Sequence, residues 1–199
     1  MHTPGASLFA SSVVLAVPPP TALRLLRSLG CEGPDAAAVG AVLGMIGSQA
    51  CLTALAGYPL DVDRPSWDIG YPGDSAIVQM ISHDSTKRTG ARYVVLVAQA
   101  RPCWSRVQFD EPEGAWIAEL IRETAHLVGA WAETPSWVQA HRWRFARSDR
   151  GSEMSRPVSL RVPGGGRVIV TGESFVPGGG IEAAWLAGIA SARRLLEEE

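Results

Sequence analysis

Apolar and polar positions near the C-terminus follow two periods in succession, first that of a strand and then that of a helix. Val168–Val170 is an apolar β-branched run, which predicts a strand that Gly172 ends. Gly178–Gly180 hold the next residues out of regular structure, and helical spacing runs from Ile181 to the end of the chain. Such a junction directs bare N–H groups and the positive end of a helix dipole at one point. The segment predicts either an anion or cofactor site or an ordinary β-loop-α connection.

Similar patterns predict strands and helices along the rest of the chain. Apolar or alternating runs predict strands at Ser12–Val17, Trp67–Tyr71, Ala76–Ser82, Arg92–Ala98, Trp137–Ala146 and Pro157–Val162. Helical spacing predicts helices at Thr21–Leu29, from Ala36 to about Ala56, and from Glu111 to about Trp131. Asp110 and Glu113 form a predicted capping box, and Pro102–Phe109 is predicted to be a loop. The valine-rich strand at Ser12–Val17 is expected to be buried on both faces, as in a parallel sheet.

The strand predicted at Trp137–Ala146 has one face that is rich in aromatic residues. Alternate residues of a strand share a side, and here they are Trp137, Gln139, His141, Trp143 and Phe145. Such a face is either part of the core or the floor of a pocket. Lys87 lies at the tip of the predicted hairpin that joins the third and fourth strands, where its charge is either solvated or in contact with an anionic ligand.

Composition narrows the classes of function. The chain has 199 residues, of which 46% are hydrophobic and 19% charged. That is enough for a sizeable core in about one domain or slightly more. A net charge of −2 provides no basic surface for nucleic acid or for an anionic membrane. The apolar segment Ala36–Leu60 is interrupted by glycines and predicts a buried helix instead of a membrane span. Three scattered cysteines without a C-x-x-C pair indicate reduced thiols in the cytoplasm, and no metal site is predicted.

Three segments carry a resemblance when they are taken in order. They are VVLAVPPP at Val13–Pro20, WRFA at Trp143–Ala146, and GESFVPGGGIEAAWLAGIASARRLL at Gly172–Leu196. Together they resemble the C-terminal part of FAD-dependent oxidoreductases of the amine-oxidase superfamily, and within it the renalase-like proteins. The resemblance covers nearly the whole chain. It implies a mixed α/β fold, with part of an FAD-binding domain and a substrate-binding domain that has a mixed or antiparallel sheet and flanking helices.

The resemblance also implies which residues meet the cofactor. Residues after the last strand would contact the ribityl and pyrophosphate region of FAD, with Glu173 standing where the family has Asp. The start of the last helix would lie at the pyrimidine edge of the flavin, where its dipole and free N–H groups stabilise negative charge on the reduced ring. The cofactor-binding residues implied in this way are Val17, Pro18, Gly172, Glu173, Gly180, Ile181 and Glu182.

On the substrate side, the resemblance implies that His141 and Trp143 of the aromatic face line the site for a small molecule. Lys87, at the hairpin tip, is the residue predicted to contact an anionic ligand there. The implied chemistry is hydride transfer from a nicotinamide-type or amine substrate to the flavin. No residue of the chain is an obvious acid, base or nucleophile, so no catalytic residue is assigned. The alternative is a non-catalytic, truncated remnant or binding module without a cofactor.

The fingerprint that binds the ADP half of a dinucleotide is missing from this chain. It needs a strand, G-x-G-x-x-G, a helix and a second strand that ends in an acidic residue. Gly178-x-Gly180-x-x-Ala183 matches by letter, but no second strand follows it. The expected division is therefore a remnant of the FAD-binding domain at residues 1–30 and 164–199 and a substrate-binding domain at residues 31–163. A separate ADP-binding half or partner chain would have to complete the cofactor site.

Overall fold

A computed structural model describes residues 2–3, 6–7, 9–162 and 164–197. The strands, in chain order, are β1 (His2–Thr3), β2 (Ala6–Ser7), β3 (Ser12–Leu15), β4 (Ser48–Tyr58), β5 (Ile69–Gly70), β6 (Val78–His83), β7 (Val94–Ala100), β8 (Trp137–Ser148), β9 (Val158–Arg161) and β10 (Arg167–Val170). The α-helices are α1 (Pro19–Ser28), α2 (Pro34–Met45), α3 (Pro102–Gln108), α4 (Glu113–Val128) and α5 (Gly180–Glu197). The fold is mixed α/β, as the sequence predicts.

The described residues form two compact units, one within Met1–Ser48 and Arg147–Glu199 and the other within Gln49–Ala146. The chain passes from the first unit to the second after Ser48 and returns to the first after Ala146, whereas the expected division has its boundaries at residues 30 and 163. The assignment of a cofactor domain and a substrate domain stays a prediction.

The first unit contains a three-stranded sheet in the order β3-β10-β9. β10 runs parallel to β3 and antiparallel to β9, so Val168 lies beside both Val13 and Leu160. The three residues from Val168 to Val170 are buried, as expected of a central strand. Val168 and Val170 pack with the buried faces of α1 and α2 in a hydrophobic cluster that also includes Phe175 and Ala187.

Two predictions for this unit are wrong. β3 ends at Leu15, so Val17 lies outside the strand, and Val13 and Val14 are 39% and 45% exposed instead of buried. The helix expected from Ala36 to about Ala56 ends at Met45, and the following residues form β4. The helix predicted at Thr21–Leu29 is confirmed as α1, which begins two residues earlier because proline is well suited to the first helical position.

The second unit contains a five-stranded sheet in the order β5-β6-β7-β4-β8. The pairs β5–β6, β6–β7 and β7–β4 are antiparallel, which confirms the predicted hairpin of β6 and β7. Alternate residues of β4 and β7 point into a core that they share with α4. These buried residues are Leu52, Ala54, Ala56, Tyr58, Val94, Leu96, Ala98, Trp116, Leu120 and Ile121.

Three local predictions for the second unit differ from the structure. The sequence predicts a loop at Pro102–Phe109, but Pro102–Gln108 forms α3. In this helix the buried Ser105 hydroxyl accepts a hydrogen bond from the N–H of Leu52 at 3.0 Å. The expected capping box is absent, because α4 begins at Glu113 after Pro112 and has no side-chain cap. The strand expected at Trp67–Tyr71 is limited to β5.

Candidate functional site

The carboxyl ends of β3 and β10 lie side by side in the first unit. The two strands are parallel with Leu15 beside Val170, and the N–H of Thr171 donates to the Leu15 carbonyl at 3.1 Å. The cofactor residues predicted at Val17 and Pro18 therefore follow one strand of this edge, and those at Gly172 and Glu173 follow the other. In open α/β sheets, the edge at the carboxyl ends of parallel strands is where ligands bind.

The loop from Gly172 to Gly180 needs glycine at several positions. Gly172, Gly178, Gly179 and Gly180 have φ values of 139°, 97°, 61° and 81°, which side chains other than glycine rarely adopt. A Cβ atom placed on Gly172, Gly178 or Gly180 would meet no atom within 4 Å. Most of this backbone therefore borders open space, and a ligand could approach it closely.

Glu173 links this loop to the end of β8 and to the start of α5. Its Oε1 atom accepts hydrogen bonds from the Ser148 N–H at 2.8 Å and from the Ser148 hydroxyl at 3.2 Å. Its Oε2 atom accepts a hydrogen bond from the Gly180 N–H at 2.9 Å. The carboxylate thereby satisfies the first N–H of α5 and places a negative charge at the positive end of that helix. The Gly180 N–H, which was expected to face a cofactor, is already bonded within the chain.

Ile181 and Glu182, the next residues of α5, remain accessible. Ile181 is 92% exposed and Glu182 is also exposed. Their N–H groups belong to the first turn of the helix, where no carbonyl of the same helix can accept them. Of the three helix-start positions predicted from the sequence, these two are the ones that can donate to a ligand.

Thr171 is a residue of this edge that the sequence analysis missed. It is 4% exposed, and its buried hydroxyl has no hydrogen-bond partner among the described residues. A buried hydroxyl without a partner is costly, and such groups often mark a position that a ligand or water satisfies. No pattern in the sequence distinguishes this threonine from an ordinary strand residue.

The aromatic face of β8 points away from the core of the second unit. Val138 and Ala140, on the opposite side of the strand, pack against that core, whereas His141 and Trp143 are exposed. The rings of His141 and Trp143 lie 4.1 Å apart between centroids, at an angle of 57°. The arginine that lies between them, Arg142, is directed to the core side, where its guanidinium lies 5.5 Å from the ring of Trp116. The first of the two predicted alternatives, a buried core face, is therefore wrong for His141 and Trp143.

Lys87 lies in a short 3₁₀ turn between β6 and β7. Its Nζ atom is 2.9 Å from Oδ1 of Asp84, and Arg88 pairs with the other oxygen of the same carboxylate. The hydrogen bonds from Lys87 and Arg88 hold the pKa of Asp84 below its ordinary value. An anionic ligand would have to compete with Asp84 for Lys87.

Neither a cluster of metal ligands nor a membrane-spanning helix occurs in the described parts of the chain. Among those residues, no group of three or more His, Cys, Asp or Glu side chains is arranged to hold a metal ion. None of the described helices is long and apolar enough to cross a membrane.

The solved structures that are similar to this chain include the following two. A protein described as a candidate protoporphyrinogen oxidase from Exiguobacterium sp. 255-15 aligns with a TM-score of 0.58 and 12% identity, over 94% of this chain and 41% of its own. Wild-type putrescine oxidase bound to putrescine aligns with a TM-score of 0.57 and 17% identity, over 92% of this chain and 42% of its own. The likeness shows the fold, and this chain spans less than half the length of either protein.

The sequence itself also matches a family. The model for flavin containing amine oxidoreductases matches residues 3–196. That match extends into both compact units, and it includes the loop from Gly172 to Gly180 and nearly all of α5. The resemblance to the amine-oxidase superfamily is thus confirmed, and the chain belongs to the family of flavin containing amine oxidoreductases.

Proposed function

We propose that this chain is the substrate-binding and flavin-capping portion of an FAD-dependent oxidoreductase of the renalase type. Its substrate would be a nicotinamide-type compound or an amine. When bound, the flavin supplies the hydride acceptor. The observation that carries the proposal is the sheet edge formed by β3 and β10. At this edge lie glycine backbone, the Thr171 hydroxyl, which has no hydrogen-bond partner among the described residues, and the loop that leads to α5. The chain also belongs to a flavin-containing family.

The residues of this edge fit the ribityl chain and ring end of FAD. An ionised carboxylate offers about four lone-pair sites, so Glu173 can accept from a ribityl hydroxyl while it keeps its three hydrogen bonds. Ile181 and Glu182 would donate their N–H groups to the pyrimidine edge, and Gly172 would allow close approach of the backbone. Val17 and Pro18 would form the neighbouring wall. The role of this part of the chain is to bind the cofactor and to stabilise negative charge at the ring edge.

The aromatic face of β8 would bind the substrate. His141 and Trp143 present an exposed pair of rings, which suits a flat nicotinamide-type ring or the cation of an amine. Lys87 would contact an anionic group of the substrate in exchange for its pair with Asp84. Orientation of the substrate, rather than acid or base catalysis, is the contribution we assign to these side chains.

The pyrophosphate and adenosine of FAD would be held by residues supplied from elsewhere. The strand, G-x-G-x-x-G and helix unit needed for them is not found in this sequence. We therefore include a separate ADP-binding half or partner chain in the proposal, together with a reducing compartment such as the cytoplasm.

One observation favours the second candidate, a binding module or truncated remnant without a cofactor. The Gly180 N–H is bonded to Glu173 within the chain, so the helix start is stabilised without a ligand. In this alternative, the loop is a structural cap and the aromatic face binds its ligand without redox chemistry.

Flavin titrations of the purified chain distinguish the two candidates. Because the chain holds residues only for the ring and ribityl end, riboflavin and FAD should bind with similar affinity, each with a change in flavin fluorescence. Glu173→Ala should weaken both, whereas the exposed carboxylate control Glu113→Ala in α4 should not. Bleaching of the bound flavin by reduced nicotinamide or by an amine would support the oxidoreductase. A protein that binds neither flavin would exclude cofactor binding by the isolated chain and favour the alternative.

A further inference from the structure

A cavity of about 530 Å³ lies between α1 and α2 in the first unit. Its volume is within the range of about 300–1,000 Å³ that is usual for small-molecule sites. Leucines of α1 and β9 line it together with small residues of α2. These apolar lining residues are Leu23, Leu26, Ala36, Ala37, Gly40, Ala41 and Leu160. The cavity therefore has room for an organic ligand with an apolar body.

Two opposite charges stand at the rim of this cavity. Arg27, in the last turn of α1, and Glu32, in the connection to α2, both line it and are both exposed. They are not paired with each other, and neither side chain has a hydrogen bond or an ion pair with another described residue. The guanidinium offers donors only and the carboxylate acceptors only. A ligand that carries both charges could bridge the gap between them.

We propose that this cavity binds an α-amino acid with a large apolar side chain. The guanidinium of Arg27 binds the carboxylate of the ligand, Glu32 accepts hydrogen bonds from its ammonium group, and the apolar side chain lies against the leucines. A fatty acid would leave Glu32 unpaired and beside a like charge, and an amine would do the same at Arg27. The zwitterion is the ligand that satisfies both rim charges and the apolar lining.

The cavity is separate from the sheet edge formed by β3 and β10. α1 begins directly after Pro18, at that edge, whereas Arg27 lies in the last turn of the helix, about 13 Å further along its axis. None of the residues that line the cavity is one of the proposed cofactor-binding residues. Binding at this position therefore requires no flavin, and it succeeds or fails independently of the proposed function.

Protection of Cys31 from alkylation tests the site in the purified chain. Cys31 is half-buried and lines the cavity, whereas Cys103 of α3 is exposed and serves as the internal control. Iodoacetamide is added at increasing concentrations of L-phenylalanine, and peptide mass spectrometry gives the rate at each thiol. Because access controls alkylation, we expect saturating ligand to slow Cys31 by at least about fivefold and to change Cys103 by less than about twofold. Calorimetry with the same ligand gives a Kd that does not depend on either thiol.

The two charges of the ligand are tested separately. Hydrocinnamate lacks the ammonium group and phenethylamine lacks the carboxylate, so each should bind at least about fivefold more weakly than L-phenylalanine. Arg27→Gln and Glu32→Gln should each weaken L-phenylalanine by about fivefold. The matched controls are Arg24→Gln in α1 and Asp35→Asn in α2, which remove exposed charges that do not line the cavity and should leave the Kd unchanged.

Two neighbouring alanines of α2 test the apolar part of the site. Ala37 lines the cavity and Ala38 does not, both are exposed, and leucine is a good helix former at either position. Ala37→Leu should fill part of the cavity and weaken L-phenylalanine by at least about tenfold, whereas Ala38→Leu should not change its Kd.

Several results would overturn the proposal. They are equal protection of both thiols, no binding of L-phenylalanine by calorimetry, hydrocinnamate or phenethylamine binding as tightly as L-phenylalanine, and the same Kd in Ala37→Leu and Ala38→Leu.

Discussion

Replacement of Glu173 by alanine removes one carboxylate that accepts three hydrogen bonds. Two come from the backbone N–H and hydroxyl of Ser148, and the third comes from the first N–H of α5, at Gly180. Ser148 is buried, so its N–H would lose its partner away from water. Its hydroxyl would keep the hydrogen bond with Ser174 at 2.6 Å. Gly180 is exposed, and water would take over its N–H.

The expected loss of stability has two parts, one at the buried N–H of Ser148 and one at the exposed N–H of Gly180. A buried N–H left without a partner costs about 1–3 kcal/mol. Loss of a negative charge at the start of an exposed helix costs about 0.3–1 kcal/mol. We therefore expect Glu173→Ala to lower the free energy of an opening that releases both Ser148 and the α5 N-terminus by about 2 kcal/mol. Glu173→Gln has a single acceptor oxygen and can serve only Ser148 or Gly180, so it should lose about half as much.

Amide hydrogen exchange of α5 measures this local opening without any assumption about how the two units unfold. A loss of about 2 kcal/mol corresponds to exchange that is about thirtyfold faster in the first turns of the helix. Glu182→Ala is the matched control, since it removes an exposed carboxylate from the same helix end and loses only the dipole contribution. If the rates for Glu173→Ala and Glu182→Ala agree within about threefold, the capping role assigned to Glu173 is wrong.

Two further predictions concern the second unit. The buried Tyr58 hydroxyl donates to the Ala132 carbonyl at 2.9 Å, so Tyr58→Phe should lower the free energy of unfolding by about 1–2 kcal/mol in guanidinium, followed by tryptophan fluorescence. Hydrogen bonds from Lys87 and Arg88 hold the pKa of Asp84 below its ordinary value of 3.8. The stabilisation from these pairs should therefore be present above pH 3.8 and should disappear as the pH falls through the folded-state pKa, which NMR titration of the carboxyl carbon measures.

Each of these predictions has a control in the same unit. Tyr71 is 71% exposed, and Tyr71→Phe should leave the unfolding free energy unchanged. A loss equal to that of Tyr58→Phe would contradict the role given to the buried hydroxyl. Burial also raises the pKa of Tyr58, so its hydrogen bond should persist into the alkaline range and be lost only as the phenol ionises. For Asp84, a titration in Lys87→Ala that is the same as in the parent protein would contradict the assigned cause.

Local patterns predicted the elements whose character depends on near neighbours in the sequence. The alternation of β8 and the succession from β10 to α5 are present in the structure close to their expected bounds. The hairpin of β6 and β7 was also recognisable, because its strands are separated by a short polar turn. In each case the period of apolar positions and the turn residues agree with the fold.

The apolar stretch after α2 shows where local patterns fail. Small and apolar residues from Ser48 to Tyr58 occur without a clear period and are compatible with either a buried helix or a buried strand. The structure selects a strand because β4 pairs with β7, where Thr53 lies beside Gln99 and Tyr58 beside Val94. Those partners are distant in the sequence, and no local propensity contains that information.

The sequence by itself determined that a strand, a glycine loop and a helix close this chain, because β-branched residues, glycines and helical spacing act locally. Only the tertiary structure decided what that segment does. It brings Ser148 to Glu173, which occupies the Gly180 N–H and leaves Ile181 and Glu182 accessible. It also leaves the outer side of α5 exposed. Hydrogen-bond partners and burial depend on which distant residues meet in space, and the order of residues along one element does not specify them.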